Sequence, residues 1–88
     1  MKLKYNFAVR DISGIHMAVA VGTDNEHFNG IIKLNESGTF IFNMLSRDIT
    51  FKEIVSALVE YYGISEKVAE EAAQSCIVKL YENNLLLE

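Results

Sequence analysis

Few side chains in this sequence could do chemistry, and their spacing limits what that chemistry could be. The single cysteine, Cys76, has no Cys-x-x-Cys partner and falls among Ala72, Ala73 and Leu80 at helical spacing. A nucleophilic thiol needs a neighbouring cation or base that holds it as thiolate, so this apolar setting predicts a structural thiol. His16 and His27 fall on or beside different strands, with no third ligand in recognisable metal-site spacing. No Gly-x-x-x-x-Gly-Lys and no Gly-x-Ser-x-Gly occurs, so the usual phosphate cradle and nucleophile elbow are missing. These residues predict no enzyme, no metal and no cofactor.

The 88 residues are half hydrophobic and contain no proline. A chain of this length buries about 60% of its unfolded surface, and one domain over residues 1–88 is expected. One cysteine excludes an internal disulfide and fits a reducing, cytoplasmic setting. Nothing approaches the roughly 18 uncharged apolar residues of a membrane span.

The net charge of −4 is unevenly placed. Residues 1–49 carry five Lys or Arg against five Asp or Glu, whereas residues 50–88 carry three Lys against seven Glu.

The elements that must position any site read clearly. Gly14, Gly22, Gly30 and Gly38 recur every eight residues, and the segments between them alternate with the two-residue period of strands. Tyr5, Phe7 and Val9 mark one face of a first strand. Met17, Val19 and Val21 mark one face of a second, with His16, Ala18 and Ala20 opposite. Phe28 to Leu34 reads as a third strand, and the short connections favour an antiparallel meander.

Helical spacing begins at once after Leu34. Asn35 or Ser37 can cap a first helix reaching about Ser46, with Phe40, Ile41, Met44 and Leu45 on one side. Thr50 and Glu53 form a capping box, with Ile49 and Ile54 as its hydrophobic staple, and Gly63 stops the second helix. Ile64 and Ser65 open a third helix that runs to Asn83 or Asn84, and the tail Leu85 to Leu87 is apolar enough to dock on the core. The order β-β-β-α-α-α predicts an α+β fold, a three-stranded antiparallel sheet followed by three helices, winged helix-turn-helix-like.

Two features exceed what a plain core requires. The apolar residues of the third helix, Val68 to Tyr81, sweep about 220°, where a one-sided surface helix needs little more than 100°. The third strand can be a sheet edge, and edges are normally blunted by charge. Lys33 is its only charge.

The ordered set of "LNESG", an aromatic-rich first helix, "TFKEI", "YGIS" and a closing "NNLL" resembles the PqqD-like family, also called RiPP recognition elements. The resemblance covers about Ile31 to Leu87. It implies a domain that binds the leader segment of a ribosomally made precursor peptide as an added strand, in the cleft against the last helix, and presents it to a separate modifying enzyme, often a radical SAM protein. On that implication the peptide would meet Gly30, Ile31, Ile32, Lys33 and Leu34 on the strand, and Ala73, Ile77, Lys79, Leu80 and Tyr81 on the helix. The alternative is a winged-helix DNA-binding protein, for which a third helix carrying Glu66, Glu70, Glu71 and Glu82 against Lys67 and Lys79 has the wrong charge.

Overall fold

The computed structural model describes residues 1–22 and 30–87. His27, Phe28 and the start expected for the third strand lie outside the described residues. The elements are β1 (Lys2–Leu3), β2 (Phe7–Ile12), β3 (Ile15–Ala20), β4 (Ile31–Leu34), α1 (Glu36–Met44), α2 (Phe51–Tyr62), α3 (Glu66–Glu82) and β5 (Leu86–Leu87). The fold is α+β, with β2-β3-β4 forming the antiparallel sheet that precedes the three helices.

The sheet's alternation decides which face is buried. Ala18 and Ala20 of β3 are buried, as is Ile32 of β4, while Met17 and Val19 turn to the other face. Ala18 of β3 shares one core with the bulky Ile41 and Phe42 of α1. Phe7 meets Phe42 edge-on at 5.2 Å between centroids, a preferred aromatic geometry.

Local chemistry sets the helix ends. Asn35, not Ser37, caps α1: its Oδ1 accepts from the Gly38 N–H at 2.7 Å. The approach is close: a Cβ on Gly38 would lie 2.8 Å from that oxygen, so the Asn35 side chain would have to shift to admit one. The Thr50–Glu53 capping box forms as expected, and the Thr50 backbone N–H, donating to the Glu53 carboxylate, holds the Glu53 pKa low. Gly63 closes α2 in the left-handed conformation. At the end of α3 the Asn84 N–H donates to the Tyr81 carbonyl and the Leu85 N–H to the Leu80 carbonyl. With Asn84 at φ 60° this is a Schellman motif.

That turn sends Leu85 and Leu86 into the core, as the apolar tail requires. It also builds something the periodicity did not show, a two-stranded ribbon in which β5 pairs antiparallel with β1. The N-terminal ammonium closes the same end by donating to Asp48 Oδ1 at 2.7 Å and to the Ile49 carbonyl at 2.9 Å.

Candidate functional site

Among the described residues β4 is paired to β3 on one side only, so its backbone register determines what its other side offers. In an antiparallel pair, residues alternate between exchanging both hydrogen bonds with their partner and turning both groups away. The Val21 N–H donates to the Asn6 carbonyl. The odd-numbered residues of β3 therefore bond to β2, and the even-numbered ones, His16 and Ala18, bond to β4. Their partners are Leu34 and Ile32. Ile31 and Lys33 are left turning N–H and C=O to the open edge. An independent contact agrees: Lys79 Nζ, reaching over from α3, donates to the Lys33 carbonyl at 3.3 Å.

Between this edge and α3 lies a cleft of about 240 Å³. Lys33 and Leu34 line it on one side, Asn35, Ser37 and Gly38 at its floor, and Ala72, Ser75, Cys76 and Lys79 along α3. The α3 flank is small and uncharged apart from Lys79, and Val68, one turn beyond Ala72, continues it with half its surface exposed. A groove of this kind suits an extended backbone with modest side chains. Burial pushes the Cys76 thiol up, and the nearby Lys79 charge only partly opposes it, so Cys76 acts here as an apolar wall.

The expected site residues divide sharply. Lys33, Leu34 and Lys79 come together around the cleft, and Ile31 turns its backbone to the same edge without lining it. Ile32 shares the strand, but its backbone is spent on β3 and its side chain on the core. Gly30 lies just before β4. Ala73 and Leu80 have 0% and 1% of their surface exposed; they are core residues with no surface to offer a ligand. Ile77 packs partly on the core, and Tyr81 is exposed on the opposite flank of α3. Ala72, Ser75 and Cys76 line the cleft but were not among the expected residues. They lie in the same apolar arc, and only the position of the core shows which side of that arc is left over.

Among the described residues, no three His, Cys, Asp or Glu side chains are grouped so as to hold a metal ion. No described helix is long and apolar enough to cross a membrane.

The family described as Coenzyme PQQ synthesis protein D (PqqD) matches residues 17–86. The chain belongs to the PqqD family. The match opens inside β3 and runs to β5, so it takes in β4, the cleft and all of α3 and leaves β2 outside. No curated protein and no solved structure matches the chain significantly. As the PqqD description concerns synthesis of a coenzyme, it is consistent with an accessory role in a biosynthetic pathway.

Proposed function

We propose that this chain is a non-catalytic binding protein that receives the leader segment of a ribosomally synthesised precursor peptide and presents it to a modifying enzyme such as a radical SAM protein. The observation that carries the reading is the pairing of an open β4 edge, with the Ile31 and Lys33 backbones turned outward, and, across a cleft, an α3 wall that is uncharged apart from Lys79. A peptide added there gains register from the ladder and selectivity from the pockets, the logic of β-augmentation. Lys33 and Lys79 supply positive charge for leader carboxylates.

The other outer strand, β2, is a poorer receptor. Its edge carries its own guard, Arg10 Nη1 donating to the Val9 carbonyl at 3.3 Å, and it lies outside the family match. DNA binding is disfavoured by the exposed glutamates of α3.

The test is an equilibrium titration of the full chain with the leader peptide encoded beside its gene, run against a DNA duplex of similar charge. Saturable leader binding with weak, salt-sensitive duplex binding supports the reading. Sub-micromolar duplex affinity at about 150 mM salt, where nonspecific binding is typically 10⁻⁴ to 10⁻⁶ M, with no leader binding, would replace it with the DNA reading.

A further inference from the structure

The face of the sheet turned away from the helices is unusually apolar for a surface. By the strand alternation it carries Ala8, Arg10 and Ile12 from β2, Ile15, Met17 and Val19 from β3, and Ile31 and Lys33 from β4. Ile31 is 61%, Ile12 56% and Ile15 48% exposed. A contiguous apolar surface of this kind on a soluble domain marks an interaction site more often than not.

We propose that this outer face is the docking surface for the modifying enzyme, whose matching surface is apolar and bordered by carboxylates. The inference rests on the leader-binding reading above. Two observations select this occupant. Among the described residues the only charges on the face are Arg10 and Lys33, both positive, although the chain as a whole carries −4. An isologous pairing of two copies would bring four cations into one interface without a carboxylate from either face, whereas an acidic rim on a different protein is complementary. The face is also continuous with the β4 edge through Ile31 and Lys33. A strand added to that edge would turn alternate side chains onto this same face. The enzyme would then touch receptor and leader together, and by linkage the loaded chain would bind it more tightly than the empty one.

The experiment uses the full chain and the modifying enzyme encoded beside its gene, with Ile15→Glu and Arg10→Glu as separate variants. Both positions are exposed, and unchanged circular dichroism with leader affinity within about twofold would certify the fold. Each variant is expected to weaken the enzyme about tenfold or more, the loss of roughly 1.4 kcal/mol that one central contact supplies. Unchanged enzyme affinity in both variants, or no enzyme binding to the unsubstituted chain, overturns the proposal. So does a dimer in sedimentation that Ile15→Glu dissociates, because a second copy would then be the occupant. If the leader fails to bind while both variants still lose the enzyme, the docking surface stands and the leader reading falls.

Discussion

Lys79 Nζ sits 3.3 Å from the Lys33 carbonyl oxygen and donates to it, tying α3 to the open edge of β4. An added strand needs that same carbonyl as an acceptor. On the proposed binding mode the ammonium would guard the edge in the empty chain and would be released to meet a leader carboxylate when the edge is filled. Both lysines are exposed, so the exchange is worth at most about 1 kcal/mol. Lys79→Ala should weaken an acidic leader by up to about fivefold at low salt, with the difference gone near 1 M, where the screening length is about 3 Å. Isothermal titration at the two salt concentrations measures both values.

The register separates two neighbouring proline substitutions. Lys33→Pro removes an N–H that faces the open edge and breaks no bond of the existing sheet. It should leave the thermal transition nearly in place and weaken the leader by up to about tenfold, the upper end of the roughly 0.5–1.5 kcal/mol net worth of one hydrogen bond. Ile32→Pro removes an N–H bonded to β3 and strains a buried position. It should unfold the chain or lower its melting temperature steeply. Equal melting temperatures for the two would mean that the register assigned to β4 is wrong.

The elements were legible where one local signal sufficed. Thr50 and Glu53 announce α2, Gly63 ends it, and the Asn-Asn-Leu-Leu run ends α3. The division of α3 was not legible, because apolar spacing reveals an arc and not which part of it the core takes. The core takes Ala73 and Leu80, leaving Ala72 and Cys76 beside β4. The inward alanines of β3 were hidden for the same reason: alternation separates Ala18 and Ala20 from Met17 and Val19 without showing which pair the core takes. β1 and β5, two residues each, are too short for any period to show.

The α1 cap lends itself to a double-mutant cycle. Asn35→Ala should cost about 1 kcal/mol, the usual value of a lost N-cap. In a Gly38→Ala background the same change should cost less, because the new Cβ would push the Asn35 oxygen away from its position at 2.8 Å and weaken the cap. Urea unfolding of the four proteins gives the coupling. Additive costs would show that cap and glycine act independently.

Asp48 gives the fold an acid-sensitive contact. The hydrogen bond from the N-terminal ammonium, followed by its charge, holds the Asp48 carboxyl below the ordinary aspartate range. A lowered folded pKa means that the stabilisation is complete above the unfolded value, about 3.9, and is lost as pH falls through the lower folded value. Asp48→Asn should lower the urea midpoint at pH 7, and the curves of the two proteins should converge in acid. Because Asp48 is fully exposed to solvent, the gap should also narrow with salt. A gap that persists below the folded pKa would assign the effect to something other than this pair.

The most direct test of the binding mode is the amide chemical-shift map of the labelled full chain on adding its cognate leader. The account predicts the largest changes at Ile31 and Lys33 and along Ala72, Ser75, Cys76 and Lys79, with Ala73 and Leu80 moving less because they lie behind that wall. Largest changes in β2 and α2, with β4 and this flank of α3 unmoved, would contradict it.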